Sequence, residues 1–455
     1  MTAHVAVVGG GLAGITAALQ LADAGCRVTL LEAKPRLGGL THSFRHGDLD
    51  VDNGQHVFMR CCTSYLALLQ RLGMSEHVTV QPRLDVPVVR AGDLRRARLR
   101  RDRMPAPLHL ARSLRGYSVL SPADRARAVR GALAMRSVDR DDPRTDDRSL
   151  GDWLRTHGQT DAVVEALWEL VGVATMNARA DASSLAIAAT VFQIGLLTES
   201  GAADIGWSLI PLQQLHGDAS TRALVDAGAD VRTHERVSSL TVTAAGWTVD
   251  ASGERIEADA VVVAADPQQM ERLLPDDALR LTRGWSEQLG ASPIVNLHVV
   301  VDRPVLHEPF LAGVGTPVQW VFDRTRQSGL RSGQYLAVSL SAADDYIDVP
   351  VAQLKEVFVP ELGRLLPAMR GAELHDFFVT RERAATFRPA PGVTRFRPQT
   401  STSYAGLALA GAHCATGWPA TMEGAVRSGE AAAASTLAFL QKRPMLAHDA
   451  AGASR

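Results

Sequence analysis

The reading of the fold rests on Val5-Ala6-Val7-Val8-Gly9-Gly10-Gly11-Leu12-Ala13-Gly14, followed by Arg27-Val28-Thr29-Leu30-Leu31-Glu32. A short apolar run breaks into three glycines and passes into a segment carrying Ile15, Leu19 and Leu21, which reads as a helix stopped by Gly25. In the spacing Gly9-x-Gly11-x-x-Gly14 the glycines serve in turn a tight turn, close backbone approach to a pyrophosphate, and close packing of helix on strand. Leu12 and Ala13 open a helix whose unpaired N–H groups and positive dipole end suit phosphate. Glu32 ends the second strand eighteen residues after Gly14, where a carboxylate accepts both ribose hydroxyls and disfavours a 2′-phosphate. FAD or NAD is therefore expected over NADP.

Outward from this core, the 455 residues suffice for two or three structural units. A hydrophobic share of 46% and a charged share of 21% are those of a globular chain with a sizeable core. Forty-eight basic residues nearly cancel forty-nine acidic ones, so no nucleic-acid partner is expected. Cys26, Cys61, Cys62 and Cys414 form no CxxC pair and no metal-ligand spacing, which points to free thiols, no metal, and a cytoplasmic setting. No signal peptide is expected ahead of the first strand, and the longest apolar stretch, Leu185 to Leu197, is too short to span a bilayer.

Short strands return around Val231, Val237 and Val249 and in Val261-Val262-Val263, and a last strand at Leu407–Ala410 leads through Gly411 to a helix beginning near Thr421. Between them, helices are expected over 63–72, after Ser121-Pro122, and over 350–366, with alternating strands at 292–302 and 334–341. The charged run Asp139 to Arg148 reads as a solvated connection. The pattern predicts an α/β fold: a Rossmann-like dinucleotide-binding domain assembled from 1–80, 215–285 and 395–440, with an interleaved α+β substrate domain from 81–214 and 286–394.

Glu32-Ala33-Lys34-Pro35-Arg36-Leu37-Gly38-Gly39 continues the dinucleotide turn with a cation for the pyrophosphate and a second glycine pair. This string resembles the N-terminal signature of the flavin amine oxidase and phytoene desaturase superfamily. The likeness continues at Gly411 and at Thr421-Met422-Glu423-Gly424-Ala425, where the superfamily's backbone amides meet the flavin's pyrimidine edge. It implies a single, non-covalent FAD. Gly411-Ala412-His413 departs from the Gly-Asp or Gly-Glu that many members carry there. Asp52-Asn53-Gly54-Gln55-His56 and Ala415-Thr416-Gly417-Trp418-Pro419-Ala420 narrow the resemblance to the hydroxysqualene dehydroxylases, squalene-associated flavoenzymes of hopanoid synthesis. The resemblance implies removal of the hydroxyl of hydroxysqualene, a long isoprenoid, at the expense of reduced FAD. Gly54, Gln55, His56 and Val237 then join the cofactor contacts.

Loss of an allylic hydroxyl leaves a stabilised cation, so the site needs an acid and an apolar tunnel. His56 is the first candidate, with Asp52 setting its charge, and His413 the second. Glu423 reads as a buttress of the cofactor helix. A flavin amine oxidase is the competing reading, but Ile294-Val295-Asn296-Leu297-His298 lacks the lysine such enzymes place near flavin N5, and the chain holds only Lys34, Lys355 and Lys442. A carotenoid or phytoene-type desaturase handles a similar lipid on the same fold. A flavin-free lipid carrier conflicts with the intact nucleotide motif. The electron donor to FAD has no signature in the chain. Arg95, Arg96, Arg98, Arg100, Arg101 and Arg103 precede an apolar stretch, and residues 95–120 are expected to touch the inner face of a membrane peripherally.

Overall fold

The computed structural model describes residues 2–452. Strand His4–Val8 is buried at every position, as a strand covered on both faces must be. It lies at the centre of a five-stranded parallel sheet whose spatial order is Asp230–Thr233, Arg27–Glu32, His4–Val8, Ala260–Val263, Leu407–Leu409. Four distant stretches of chain thus build one sheet. Helices Leu12–Asp23 and Met422–Gly452 pack against each other, and Gly429 permits it: a Cβ there would stand 2.3 Å from the Ala13 carbonyl oxygen.

A seven-stranded sheet forms the second layer, in the order Leu374–Thr386, Ser292–Val301, Gln334–Leu340, Trp320–Asp323, Phe310–Val314, Asp85–Arg90, Arg96–Arg100. Its pairs are antiparallel except Phe310–Val314 with Asp85–Arg90. A three-stranded meander, Val237–Thr243, Gly246–Ala251 and Glu254–Ala258, flanks the parallel sheet. Ile205–Ser208 pairs with both Val57–Met59 and Val78–Val80, sewing the middle of the chain to its beginning. Between residues 108 and 226 the regular structure is helical, with Ile205–Ser208 the one strand.

The expected α/β architecture is present, and several local expectations agree closely. Helices occupy Thr63–Arg71, Pro122–Met135 and Val351–Leu365, and Ser121 caps the second, its Oγ accepting from Asp124 N at 3.1 Å. The run Asp139 to Arg148 differs. It contains a short helix, Pro143–Asp146, whose Asp146 is buried and accepts from Ser184 Oγ at 2.6 Å and Thr394 N at 3.0 Å. A charge run hides such a residue because its partners lie 38 and 248 positions away. Among the described residues, no helix is long and apolar enough to cross a membrane.

Candidate functional site

The N-terminal turn is shaped by backbone proximity. Gly9 has φ +106°, and a Cβ on it would lie 2.4 Å from the Ala264 carbonyl oxygen; one on Gly14 would lie 1.9 Å from that of Gly9. Gly11 is the N-cap of helix Leu12–Asp23 and brings no side chain to its first-turn N–H groups, which stay open to an anion. Leu12 and Ala13 are buried beneath them. Gly38 N donates to the Gly10 carbonyl at 2.8 Å, and Gly39 passes so close that a Cβ would stand 2.9 Å from Gly11 Cα. Arg36 leans over this turn, Nη1 donating to the Gly39 carbonyl at 3.3 Å.

Glu32 braces the turn from the strand end. Its Oε2 accepts from Gly10 N at 2.6 Å and its Oε1 from Lys34 N at 2.7 Å. Each oxygen retains a lone pair for a ribose hydroxyl, and half-buried Ala33 follows at the edge of the turn. The cradle and the carboxylate together fit an adenine dinucleotide. Glu32→Ala is expected to lower FAD affinity and loosen the turn, since charged hydrogen bonds are each worth about 1.5–3 kcal/mol. Flavin retained per chain after gel filtration measures it, and unchanged retention would remove Glu32 from the cofactor contacts.

At the same carboxyl end of the parallel sheet, after its edge strand Leu407–Leu409, Gly411 N donates to Ser428 Oγ at 2.8 Å. Met422 opens the last helix, where Thr421 Oγ1 accepts from Gly424 N at 3.1 Å. Glu423 is buried and reaches across to another helix: it accepts from Ser64 N at 3.2 Å and Tyr65 N at 2.8 Å, and is paired with Arg427 at 2.6 Å. It therefore caps Thr63–Arg71 and buttresses the start of its own helix from there. Val237 is buried in the meander, its carbonyl accepting from Gln269 Nε2 at 3.3 Å. Cys414 is fully buried and its thiol is pushed up to about 12 by that burial, which removes the thiolate a flavin thioether would require.

The loop of residues 53–56 leads from strand Leu49–Asp52 to strand Val57–Met59 and lies against the seven-stranded sheet. The Asn53 carbonyl accepts from Thr380 Oγ1 at 3.1 Å and Asn296 Nδ2 at 3.4 Å, both on the seven-stranded sheet. A Cβ on Gly54 would meet Asn296 Nδ2 at 3.4 Å and the His56 ring at 3.5 Å, so the region that lacks a lysine faces this loop with an amide. The Oδ1 of Asn296 is buried without a hydrogen-bond partner. Gln55 and His56 are half-buried.

Asp52 does not serve His56 directly. Its Oδ1 accepts from Ser43 Oγ at 2.6 Å and Leu212 N at 3.0 Å, while Oδ2 pairs with Arg324 at 2.5 Å in a buried ion pair. Both carboxylate oxygens are engaged elsewhere, and whatever field they exert on His56 is opposed by Arg324. His56 Nδ1 lies 3.1 Å from the Gly54 carbonyl, an acceptor only, so Nδ1 carries the proton and Nε2 is left as an acceptor. Burial holds the ring below the ordinary imidazole range. The resting His56 is thus neutral and becomes an acid only by taking a proton at Nε2, scarce but strong once formed.

His413 is not brought to this loop. It is buried against Met270, Nε2 to Sδ 3.5 Å, and stacks on Trp285 with ring centroids 6.3 Å apart. Burial pushes it down to about 4. In its place stand residues the motifs did not flag. His216 Nε2 is 2.8 Å from Tyr65 Oη, and burial takes His216 down to about 3. His42 is pushed to about 4 by burial and by the charge of Arg36. Both histidines feel the charge state of His56. His298, also near 3, bonds Tyr335 Oη at 2.6 Å and Thr380 at 3.0 Å. The segment Gln213–Asp218, which supplies His216, is π-helical, an irregularity frequent at functional sites.

The sequence profile of the family described as flavin containing amine oxidoreductase matches residues 12–437. The hydroxysqualene dehydroxylase of Sinorhizobium fredii is 27% identical over 95% of this chain and 98% of its own length. The zeta-carotene desaturase of Arabidopsis thaliana is 26% identical over 94% of this chain and 84% of its own. Among solved structures, a putrescine oxidase variant superposes with a TM-score of 0.73 at 20% identity, covering 96% of this chain and 99% of that one. Cyclohexylamine oxidase from Brevibacterium oxydans gives 0.73 at 18% identity, covering 97% and 100%. The solved structures share the fold.

Proposed function

Because the chain belongs to the flavin-containing amine oxidoreductase family, and is an FAD-dependent oxidoreductase, we propose that it removes the hydroxyl of a long isoprenoid alcohol of the hydroxysqualene type to give squalene. The observation that carries this reading is the loop Asp52–His56: its carboxylate is paired with Arg324, its histidine is neutral, and it is faced by Asn296, from a stretch that carries no lysine. Such a site offers no free anion to an ammonium substrate. The relatives that align over most of this chain include enzymes named for hydroxysqualene and for zeta-carotene.

Bound flavin, in its reduced form, supplies a hydride. The C–O bond breaks, the oxygen leaves as water with one added proton, and the hydride closes the carbon valence, so atoms and electrons balance. In this proposal His56 holds the departing hydroxyl through Nε2 and delivers the proton there. Gly9, Gly11, Gly14, Arg36, Gly38 and Gly39 would hold the pyrophosphate side, Glu32 the ribose, and Val237, Gly411, Met422 and Glu423 support the remaining contacts. The division into a cofactor unit of 1–80, 215–285 and 395–440 and a substrate unit from the rest is part of the same proposal.

His56→Ala is expected to slow turnover of the alcohol by about 100- to 10,000-fold, the usual contribution of a positioned acid, with flavin content unchanged. Because burial lowers the His56 pKa, the wild-type rate should rise as pH falls toward that value and the variant should lose this dependence. An unchanged rate makes His56 structural. Peroxide release from primary amines in air would instead restore the amine oxidase reading.

A further inference from the structure

Two features that the reaction does not use fall in one part of the chain. The first is charge: residues 95–136 carry twelve arginines against Asp102 and Asp124, a net of +10 in a chain whose formal charge is -1. The second is exposed apolar surface. Of the twelve large hydrophobic side chains exposed among the described residues, Met104, Leu108, Val129 and Leu133 lie here and Leu94 immediately precedes them.

The arginine-dense stretch is not itself the contact. In strand Arg96–Arg100, at the edge of the seven-stranded sheet, Arg98 is held by Asp85 and Glu308 and Arg100 by Asp85, while Arg101 is held by buried Asp204. A charged edge strand of this kind blocks edge-to-edge pairing. Between that strand and residue 136, the exposed arginines without an ion-pair partner among the described residues are Arg103, Arg112, Arg115, Arg130 and Arg136.

Their positions follow from helix geometry. The turn Leu108–Leu110, continuing into Ala111–Arg115, buries Leu110 and Leu114 and leaves Leu108, Ala111, Arg112 and Arg115 exposed. Helix Pro122–Met135 buries Ala128, Gly131 and Met135 and leaves Ala126, Val129, Arg130 and Leu133 exposed. Each exposed set has spacings of three, four and seven, one face of a helix. The two elements pack together, and Arg125 Nη1 donates to the Arg115 carbonyl at 2.5 Å. Met104 and Leu108, 49% and 53% exposed, bracket the turn that precedes them.

We infer that this surface docks the protein on an anionic lipid bilayer. Met104, Leu108, Val129 and Leu133 enter the boundary between headgroups and acyl chains, and Arg103, Arg112, Arg115, Arg130 and Arg136 lie at the level of the phosphates. A nucleic acid or other soluble polyanion would engage the arginines alone and leave the apolar side chains without a role. The surface stands on its own charge and exposure, independently of the reaction assigned above.

The test uses the flavin-loaded full chain with vesicles of phosphatidylcholine, alone or mixed with phosphatidylglycerol. Wild type is expected to co-sediment with the mixed vesicles at low salt and to be released as salt rises. Arg112→Glu, Arg115→Glu and Arg130→Glu together should weaken that partition by more than about tenfold. Leu108→Ser with Leu133→Ser should weaken it as well, while leaving retention on heparin unchanged. Flavin content and melting temperature report folding of each variant, with arginine-to-glutamine substitutions standing in for any charge reversal that misfolds. Equal partition of wild type and both variants overturns the proposal. So does binding that the apolar pair leaves unchanged and heparin abolishes, which would assign a soluble polyanion instead. Co-sedimentation is read without turnover, so failure of the reaction assay and failure of docking are separate results.

Discussion

Asp52→Ala is expected to destabilise the protein by about 3–5 kcal/mol, the usual cost of removing one partner from a buried ion pair. Buried Arg324 would keep, among the described residues, only the Ser208 carbonyl at 3.5 Å for its guanidinium. Ser43 Oγ and Leu212 N would lose their acceptor in the same change. Asp52→Ala with Arg324→Met should recover much of the loss, because the charge and its partner leave together. Denaturant midpoints of the wild type, both single variants and the double variant measure this. A single-variant loss below about 1 kcal/mol would show that the pair does not anchor the loop, and would reopen a direct role for Asp52 on His56.

Acid is expected to act on a comparable scale. His216, His298 and His413 are held near 3, 3 and 4 by burial, against an unfolded value of about 6.5. The folded values are the lower ones, so the unfolded chain binds the extra protons. Stability is therefore whole above about pH 6.5 and falls as pH drops toward 4. Each neutral histidine weakens the fold by up to about 1.4 kcal/mol per pH unit in that window. Three together rival the 5–15 kcal/mol of a typical domain within about two units. Denaturant midpoints should fall steeply between about pH 7 and 5 with the slope m unchanged. A flat profile there would mean that the three rings are solvated or already charged.

Arg324, His216 and His298, on which these two effects partly rest, are not singled out by any sequence motif, and the reason is physical. Gly9, Gly11, Gly14 and Glu32 are legible because they act locally: the turn, the helix start and the strand end lie within about one βαβ unit, so spacing encodes geometry. The missing lysine is legible for the same reason, since Asn296 lies within one strand. Arg324 is not legible, because its partner Asp52 lies 272 residues away and nothing in the run Asp323-Arg324-Thr325 differs from a surface turn. Tyr65 and His216, 151 residues apart, are adjacent in a fold that pairs strand Ile205–Ser208 with Val57–Met59. His413 is legible as a titratable residue beside the cofactor motif, but the direction of its side chain, toward Met270 and Trp285, is set by packing. The arginine stretch misleads in the opposite sense: its density marks a sheet edge, and the unpaired cations lie largely on the helices that follow.

The central claim, a net reduction of an isoprenoid alcohol, is tested most directly by the flavin's own colour under anaerobic conditions. Chemically reduced protein is mixed with hydroxysqualene, and the return of the oxidised flavin spectrum is followed together with the lipid product. The claim predicts reoxidation at the rate at which squalene appears, one molecule per flavin. Reduced flavin that persists with the alcohol, together with oxidised flavin that is bleached by a polyene precursor, would contradict it and identify a desaturase.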